Sequence, residues 1–280
     1  MARHTSLQVG GSADAYVRPR SIEDLCRVLA LCRDFGLPWQ VLGKGFNTLV
    51  LDGGLRGVTL SLGLMRDIAV MGDCVIAEAG VTHTALARFC AERGRAGMEF
   101  AVGIPGTVGG WLRMNAGTRE REVAQVAESV ELLLEGAERA ERYDATKLTW
   151  RYRALEVPAN SIIVGGSFRT HADGEAAIRE RMDTQLAQRR RTQPVNERSF
   201  GSVFKNPDGD HAGRLIEAAG LKGESAGDAA ISTLHANFIV NRGHARASDV
   251  LALIERAQTT VARSFGIALE TEVHVLGDPA

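Results

Sequence analysis

The chain has 280 residues, of which 45% are hydrophobic and 24% are charged, and its formal net charge is −1. This composition predicts a globular protein with a sizeable core in two or three lobes, and the near-zero charge argues against nucleic acid or an anionic membrane as a partner. Four cysteines without a CxxC pair, and no apolar run or signal region of sufficient length, predict a reduced cytoplasmic protein with no disulfide framework and no metal site.

The first fifty residues predict a strand, a helix and a glycine turn. Residues 13–17 alternate as in a strand, and Ser21 followed by acidic residues predicts the start of a helix. A short apolar strand from Trp39 then leads into the turn Gly43-Lys44-Gly45-Phe46-Asn47-Thr48. Successive backbone N–H groups in such a turn can bind an anion, although a plain β-turn is the more common structure. The turn matches neither GxGxxG nor a Walker loop.

The next segment combines short strands with the densest glycine run of the chain. Residues 58–79 predict three short strands, and Thr82 or Thr84 predicts the start of a helix. The glycine run comprises Gly103-Ile104-Pro105-Gly106-Thr107-Val108-Gly109-Gly110 and Met114-Asn115-Ala116-Gly117. Its composition disfavours an ordinary helix, and each glycine lets a ligand approach the backbone closely. A packed turn is the alternative, but the turn at residues 43–45 makes a cofactor contact the favoured interpretation.

Strands and a charged helix follow. Residues 130–134 and 161–164 predict strands, and Tyr152-Arg153 between them is predicted to lie on a short strand. Arg153 would be either a bidentate partner for a carboxylate or a surface arginine. The charged helix predicted over residues 174–191 would mark a domain boundary. Its arginine run, residues 189–191, would be solvated, or one of its members would contact a phosphate.

The last third contains the turn Gly201-Ser202-Val203-Phe204-Lys205-Asn206-Pro207. Ser202 would be a nucleophile, a proton donor or a turn residue, and the absence of a Gly-x-Ser-x-Gly elbow argues against a hydrolase. Helices are predicted over residues 212–220 and from Ala247 or Ser248 to Gly266, with a strand between them at 238–241. Residues 267–277 predict a last strand, which would present Glu270, Glu272 and His274 on one face.

With these residues in view, the chain resembles the UDP-N-acetylenolpyruvoylglucosamine reductase family of peptidoglycan precursor synthesis. Eight stretches in the family's order carry the resemblance: His4-Thr5-Ser6 with Val9-Gly10-Gly11, residues 42–50, 103–117, Tyr152-Arg153, Gln193-Pro194, 201–207, 235–241 and 269–277. Because only about fifty residues separate Tyr152 from Ser202, the chain resembles the shorter, second type of the family.

The resemblance implies an α+β fold: the two-lobed FAD-binding fold of the vanillyl-alcohol oxidase type plus a smaller α+β substrate-binding domain. Residues 1–64, joined by the C-terminal strand 267–280, would form the first FAD-binding lobe. Residues 65–185 would form the second lobe, and residues 186–266 the substrate-binding domain. The protein is expected to be a monomer.

The resemblance also implies the reaction, in which an NADPH-dependent UDP-N-acetylmuramate dehydrogenase with non-covalent FAD reduces UDP-N-acetylglucosamine enolpyruvate. Hydride from reduced FAD would reach C3, Ser202 would protonate C2, and Arg153 with Glu272 would stabilise the enolate-like intermediate. The implied substrate contacts are Tyr152, Lys205, Asn206 and Arg189. The implied flavin contacts are Gly43, Lys44, Gly45, Asn47, Thr48, Gly103, Ile104, Pro105, Gly106, Thr107, Gly109, Gly110, Asn115 and Gly117.

Three places depart from the family's usual pattern. Phe46 and Leu155 stand where serine is usual, and residues 118–121 replace an Ala-Tyr-Gly run. Two other functions stay open at this point: an oxidase or dehydrogenase of the same flavin fold, and a flavin-binding regulator without catalytic activity. Glu270 is the rival of Glu272 for the acidic role.

Overall fold

The computed structural model describes residues 1–118 and 120–279. Its α-helices are α1 (Ile22–Asp34), α2 (His83–Glu92), α3 (Val108–Arg113), α4 (Glu175–Thr192), α5 (Ala212–Ala218) and α6 (Ala247–Phe265). Short 3-10 helices span Ala2–His4, Glu99–Gly103, Val123–Gln125 and Ala145–Lys147.

The strands are mostly short. They are β1 (Ala13–Val17), β2 (Trp39–Val41), β3 (Thr48–Val50), β4 (Leu55–Leu60), β5 (Ile68–Met71), β6 (Cys74–Glu78), β7 (Arg95–Ala96), β8 (Ala127–Leu133), β9 (Glu141–Asp144), β10 (Thr149–Arg151), β11 (Ala154–Glu156), β12 (Ile162–Arg169), β13 (His171–Ala172), β14 (Arg198–Ser202), β15 (Ser225–Ala226), β16 (Ala229–Ile231), β17 (Phe238–Asn241) and β18 (His274–Leu276).

The chain forms two compact units. Unit 1 comprises residues 1–15, 44–57 and the chain from Arg189 onward, and unit 2 comprises residues 16–43 and 58–188. Strands β1, β4 and β2 form a three-stranded sheet in that order. The three-lobe division implied by the resemblance stays a prediction.

Unit 2 is built on a five-stranded sheet in the order β5-β6-β12-β8-β9, whose neighbours are all antiparallel. Strand β12 is buried along seven of its eight residues because it lies in the middle of this sheet. The core beside it contains Trp111 of α3, whose ring lies 5.4 Å from that of Phe168. Helix α3 is therefore anchored to the sheet by a large aromatic side chain.

Unit 1 contains the antiparallel sheet β14-β17-β16-β15 and the parallel pair β3-β18. The amphipathic helix α6 buries Val250, Leu253 and Val261 in a core that it shares with Phe200 and Phe204. Strand β14 leads directly into the turn after Ser202, and β17 pairs with it. The core of this unit therefore supports both sides of the predicted catalytic turn.

Local signals predicted several elements correctly. Ser21 caps α1 by accepting from the Asp24 N–H, and Thr82 caps α2 by accepting from the Ala85 N–H. Gly266 ends α6 in a left-handed conformation with φ of 70°, as expected for a C-terminal glycine. The four cysteines are all free thiols.

Three predictions about local structure were wrong. The glycine run is not free of helix, because α3 contains Gly109 and Gly110. Tyr152 and Arg153 lie in the turn between β10 and β11 rather than on a strand. The last strand is only β18, so Glu270 and Glu272 lie outside it and no strand face unites them. In each of these three cases, contacts formed in the folded protein determine the local structure.

The described residues contain neither a membrane-spanning helix nor a cluster of metal-ligating side chains. None of the helices in that part of the chain has the length and apolarity needed to cross a membrane. The same residues contain no group of three or more His, Cys, Asp or Glu side chains that could hold a metal ion.

Candidate active site

The two glycine segments predicted to contact a cofactor meet at Thr107 in unit 2. A Cβ built at Gly43 would lie 3.2 Å from Thr107 Oγ1, and one at Gly110 would lie 4.0 Å from the same atom. Within the described chain, neither Cβ would meet another atom within 4 Å. At Gly110 the protein's own packing therefore does not demand glycine, whereas a Cβ at Gly43 would force Thr107 Oγ1 to shift. Close approach of a ligand would favour glycine at both positions.

Gly106 is required by its own backbone, whose φ of 124° is a conformation that residues with a Cβ rarely adopt. Behind it lies His83, which is 2% exposed and whose Nδ1 lies 2.8 Å from the Ile104 carbonyl oxygen. The His83 ring also packs 4.9 Å from that of Trp111. His83 thus shapes the loop over residues 104–106, a role that a lone histidine in the sequence does not indicate.

Three other predicted flavin contacts have a packing reason of their own. A Cβ at Gly109 would lie 3.0 Å from Ala79 Cβ, and the Gly109 N–H donates to the Ala79 carbonyl at 3.0 Å. At Gly117 a Cβ would lie 2.2 Å from the Arg121 carbonyl oxygen, and at Gly45 it would lie 2.5 Å from Thr5 Cα. Neighbouring protein atoms therefore explain these glycines without a cofactor.

The far end of the first glycine turn belongs to unit 1 and contacts the segment around Glu272. Asn47 adopts a left-handed φ of 55°, and its Nδ2 donates to the Glu272 carbonyl at 3.1 Å. Its backbone N–H donates to the Phe200 carbonyl at 2.8 Å. Thr48 is buried, and Lys44 is exposed. Asn47 therefore joins the glycine turn to the acidic segment within one unit.

Ser202 ends strand β14, where an irregularity between Ser199 and Ser202 interrupts the pairing with β17. Gly201 has φ of 98°, which a residue with a Cβ would adopt only with strain. The half-buried Ser202 is followed by Val203, whose carbonyl accepts from the Glu272 N–H at 2.8 Å. The structure therefore brings the backbones of the Ser202 turn and the Glu272 segment together.

The two candidate glutamates differ in their surroundings. Glu270 is 72% exposed and forms an ion pair with Lys205 Nζ. Glu272 is half-buried and follows Thr271, which makes an isolated antiparallel bridge with Phe204. Because Glu270 is mostly exposed whereas Glu272 is half-buried, this difference in burial favours Glu272 for the acidic role.

Arg153 in unit 2 combines a left-handed backbone, with φ of 59°, and a side chain that is only 17% exposed. Its Nη1 donates to Glu122 Oε1 at 3.3 Å, and its guanidinium lies 4.6 Å from the centroid of the Tyr152 ring. Arg153 is therefore not the freely solvated surface arginine of the alternative interpretation. The sequence did not indicate that Glu122 is the partner of Arg153, because the two residues lie 31 positions apart in the chain.

Asn115 contributes to this network rather than to an open ligand surface. It is 2% exposed, and its Nδ2 donates to Glu122 Oε2 at 2.9 Å and to the Arg151 carbonyl at 3.0 Å. Its Oδ1 accepts from the Ala124 N–H at 3.1 Å. The carboxamide is thus fully engaged with the protein, which gives Asn115 a structural role beside Arg153.

The remaining predicted substrate contacts lie in different settings. Asn206 Oδ1 accepts from the Ala212 N–H at 3.1 Å at the start of α5. Tyr152 is exposed. Arg189 is half-buried near the end of α4, and burial lowers the pKa of its guanidinium to about 10, so it remains charged at neutral pH. Gly103, Ile104 and Pro105 complete the set of flavin contacts that the resemblance implies, and their role stays a prediction.

Along nearly its whole length the chain is similar to known reductases. Residues 193–276 match the model of the C-terminal domain of UDP-N-acetylenolpyruvoylglucosamine reductase, and residues 13–140 match that of an FAD binding domain. The UDP-N-acetylenolpyruvoylglucosamine reductase of Geobacter metallireducens is 43% identical over 279 residues, covering 99% of this chain and 92% of the relative. The reductase of the same name from Rubrobacter xylanophilus is 41% identical, covering 100% of this chain and 94% of the relative.

A solved structure gives the same result for the fold. The crystal structure of UDP-N-acetylenolpyruvylglucosamine reductase from Thermus caldophilus has a TM-score of 0.86 and 36% sequence identity to this chain. The match covers 99% of this chain and 97% of that one. The C-terminal domain model spans both Ser202 and Glu272.

Proposed function

Because the chain belongs to the UDP-N-acetylenolpyruvoylglucosamine reductase family, we propose that it reduces UDP-N-acetylglucosamine enolpyruvate to UDP-N-acetylmuramate with NADPH as the electron donor. Its membership of this family of FAD-binding oxidoreductases, and the predicted α+β FAD-binding fold, are confirmed by the comparisons. The match of residues 193–276 to the reductase C-terminal domain is the observation that carries the proposal, because that domain distinguishes the reductase from other flavin enzymes.

The glycine positions of unit 2 fit a non-covalent FAD. Gly110 leaves space beside Thr107, Gly43 brings its backbone close to the Thr107 side chain, and Gly106 adds a backbone that only glycine adopts readily. We assign the flavin contacts to these residues and assign Gly45, Gly109 and Gly117 to packing. When bound, FAD supplies the two electrons that the enolpyruvyl double bond accepts. The chain's own residues bind and orient the reactants and deliver the proton.

Ser202 is proposed to give its proton to C2 of the enolpyruvyl group. A serine hydroxyl is a very weak acid, but the carbanion or enolate that forms at C2 is a strong base, so the transfer is favourable. Its position at the end of β14, beside the left-handed Gly201, supports this role because the turn presents a half-buried hydroxyl on a fixed backbone. General acid catalysis of this kind contributes roughly 10²–10⁴-fold to a rate.

Arg153 and Glu272 are proposed to stabilise the negative charge that spreads into the substrate carboxylate. Arg153 is permanently charged and can bind a carboxylate through two parallel N–H groups. Its ion pair with Glu122 holds the guanidinium in place before substrate arrives, which avoids part of the ordering cost. Glu272 would contribute as a protonated donor or through a water molecule, because an ionised carboxylate would repel the developing charge.

The substrate contacts are proposed to be Tyr152, Lys205, Asn206 and Arg189. Arg189 suits the diphosphate because its guanidinium stays charged while half-buried, and a charged donor binds phosphate strongly in partly desolvated surroundings. Lys205 would leave its pair with Glu270, or share it, when a substrate anion binds. Asn206 caps α5 with Oδ1, so its Nδ2 remains for the substrate.

A spectroscopic titration of the purified protein tests the function as a whole. The protein should carry a flavin spectrum that NADPH bleaches and that UDP-N-acetylglucosamine enolpyruvate restores without oxygen. Bleaching followed by no recovery with this substrate would contradict the proposed reaction. Oxygen-dependent oxidation of hydroxy acids would instead indicate another enzyme of the flavin fold, and retained FAD without NADPH bleaching would indicate a regulator.

A further inference from the structure

We propose that Asn237 is a positioning residue that fixes the direction of the Ser202 hydroxyl by clamping the backbone of Phe204. The inference rests on the proposed role of Ser202 as the proton donor and adds a residue through which that role is controlled. Asn237 lies two residues C-terminal to His235 in the loop before β17, and it belongs to unit 1 together with the Ser202 turn.

The contacts of Asn237 form the clamp. Its side chain is buried, at 4% exposure, and its Nδ2 donates to the Phe204 carbonyl at 2.8 Å. Its Oδ1 accepts from the Phe204 N–H at 2.9 Å. Its own carbonyl accepts from the Val203 N–H at 2.9 Å. One residue therefore satisfies three of the four main-chain polar groups of Val203 and Phe204, directly after Ser202.

The clamp is needed because the regular pairing of β14 ends at Ser202. The irregularity between Ser199 and Ser202, together with Gly201 at φ of 98°, turns the chain out of the ladder. Without a partner, the buried N–H and carbonyl of Phe204 would each lose a hydrogen bond, which is costly inside a protein. Asn237 supplies that partner and so determines the path of the backbone that bears Ser202.

The same backbone is held on its other side by the Glu272 segment. The Val203 carbonyl accepts from the Glu272 N–H at 2.8 Å, so Val203 is fixed by Asn237 through its N–H and by Glu272 through its oxygen. A shift of the turn would therefore move Ser202 relative to Glu272. A rotation of the serine by one rotamer would misdirect its proton, and catalysis is sensitive to such small displacements.

The clamp is itself anchored by His235. The Asn237 N–H lies 3.3 Å from His235 Nδ1, which must accept and therefore be unprotonated. Burial lowers the pKa of His235, which keeps the imidazole neutral near pH 7. The His235 ring packs edge-on against Phe238 at 4.9 Å. This arrangement gives His235 a supporting role for Asn237.

A matched pair of alanine substitutions on full-length, FAD-loaded protein tests the proposal. Asn237→Ala removes the two side-chain hydrogen bonds of the clamp to Phe204 and keeps the main-chain bond to Val203. Asn241→Ala removes another buried carboxamide, at the end of β17, which donates to the Leu7 carbonyl at 3.0 Å and accepts from the N–H groups of Gly243 and Ala245. The two variants lose similar numbers of buried hydrogen bonds, but only Asn237 contacts the Ser202 turn. Stopped-flow absorbance then separates flavin reduction by NADPH from flavin reoxidation by substrate.

We expect flavin reduction within about twofold of wild type in both variants, and reoxidation slowed roughly tenfold to hundredfold in Asn237→Ala alone, a partial loss of the roughly 10²–10⁴-fold that a general acid contributes. Amide hydrogen exchange should show faster exchange at Phe204 and unchanged exchange at Ile239 and Val240. Equal slowing by both alanine variants would overturn the proposal. If Asn237→Ala does not fold, Asn237→Gln moves both polar groups by one methylene and takes its place.

Combination with Ser202→Ala distinguishes the two proposals. If Asn237 acts through Ser202, the double variant should reoxidise no more slowly than Ser202→Ala, because the positioned group is already missing. If the two substitutions instead slow reoxidation by the product of their separate effects, Asn237 supports unit 1 in general. That result would overturn the inference and leave the role of Ser202 intact. Normal reoxidation in Ser202→Ala alone would refute the proposed proton donor, and the positioning proposal with it.

Discussion

The backbone at Arg153 is left-handed, with φ of 59°, although this conformation is uncommon for a residue that carries a Cβ. Strain of this kind costs on the order of 1–3 kcal/mol and persists only where surrounding contacts impose it. At Arg153 those contacts include the ion pair with Glu122 and the stacking on Tyr152. Strained backbones of this sort cluster at functional sites, which supports the role proposed for the guanidinium.

Replacing Arg153 by lysine should separate charge from geometry. Arg153→Lys keeps the positive charge but loses the two parallel N–H donors, so reduction of the substrate should fall about a hundredfold. Flavin reduction by NADPH should be unchanged, since it does not involve the substrate carboxylate. Steady-state and stopped-flow rates provide the measurement, and wild-type turnover by the lysine variant would make Arg153 a structural residue only.

Ser202→Ala should affect only one half of the catalytic cycle. The change removes the hydroxyl and leaves Gly201 to form the turn, so the variant should fold, bind FAD and be bleached by NADPH at a near-normal rate. Reoxidation by the enolpyruvyl substrate should slow by more than the roughly 10²–10⁴-fold usual for a general acid. Equal slowing of both half-reactions would show that Ser202 shapes the flavin site instead.

Among the elements, α3 shows how tertiary contacts override helix propensity. Gly109 and Gly110 lie in the first turn of α3, and glycine is less favourable than alanine in a helix by up to about 1 kcal/mol. The Gly109 N–H nevertheless donates to the Ala79 carbonyl, and Trp111 anchors the helix in the core of unit 2. Gly109 permits this close approach because a Cβ there would lie 3.0 Å from Ala79 Cβ.

The two adjacent glycines of α3 should therefore respond differently to valine. Among the described residues, a Cβ at Gly110 would meet only Thr107 Oγ1, at 4.0 Å. The Gly110→Val apoprotein should therefore keep close to wild-type stability, while its affinity for FAD falls sharply. Gly109→Val should lower the melting temperature of the apoprotein itself, because the side chain collides with Ala79. Thermal unfolding without FAD and a fluorescence titration with FAD provide the two measurements. Unchanged FAD affinity in Gly110→Val would refute its assignment as a flavin contact.

Helix α6 is capped by a residue from a distant part of the sequence. The Asp52 carboxylate accepts from the Ala247 N–H at 2.9 Å and from the Ser248 N–H at 3.1 Å. Burial opposes ionisation, but these hydrogen bonds and the charge of Arg246 outweigh it and hold the pKa of Asp52 below its usual value of 3.8. A carboxylate at a helix N-terminus is also favoured by the helix dipole.

Removal of this cap should produce a pH-dependent loss of stability. Asp52→Ala should lower the free energy of unfolding by about 1 kcal/mol at pH 7. Because the folded-state pKa is depressed, the contribution of Asp52 is present above its unfolded pKa and is lost as the pH falls through the folded value. The difference from wild type should therefore shrink below about pH 4. Denaturant titrations at pH 7 and pH 3 measure it, with the exposed Asp34→Ala as the control.

For the whole molecule, bound FAD should be a major source of stability. A ligand that binds only the folded protein stabilises it by about 2.7 kcal/mol at a hundredfold excess over its dissociation constant. Removal of FAD should therefore lower the melting temperature, and added FAD should restore it in a concentration-dependent way. Gly110→Val protein is the control and should show a much smaller shift. A melting temperature independent of FAD would contradict non-covalent binding to the folded chain.

The expected monomer stays a prediction, for which light scattering should give a mass near 30.1 kDa.

Elements that carry local signals could be predicted from the amino-acid sequence. Ser21 and Thr82 cap helices by hydrogen bonds three residues along the chain, and Gly266 ends α6 through its own backbone freedom. These interactions involve neighbouring residues, so composition and spacing suffice to predict them. The family followed in the same way, because the order of the glycine turns and of the turn around Ser202 is a property of the chain.

Features that join distant residues could be identified only from the folded structure. Glu122 holds Arg153 from 31 positions away, Asn237 clamps Phe204 from 33, and Asp52 caps α6 from 195. The hydrophobic periodicity of the sequence does not reveal such pairs, because a hydrogen bond between distant segments leaves the local pattern of each segment unchanged. The helix at Gly109, the left-handed turn at Arg153 and the short last strand arise for the same reason: contacts made on folding outweigh local preferences that amount to about 1 kcal/mol per residue.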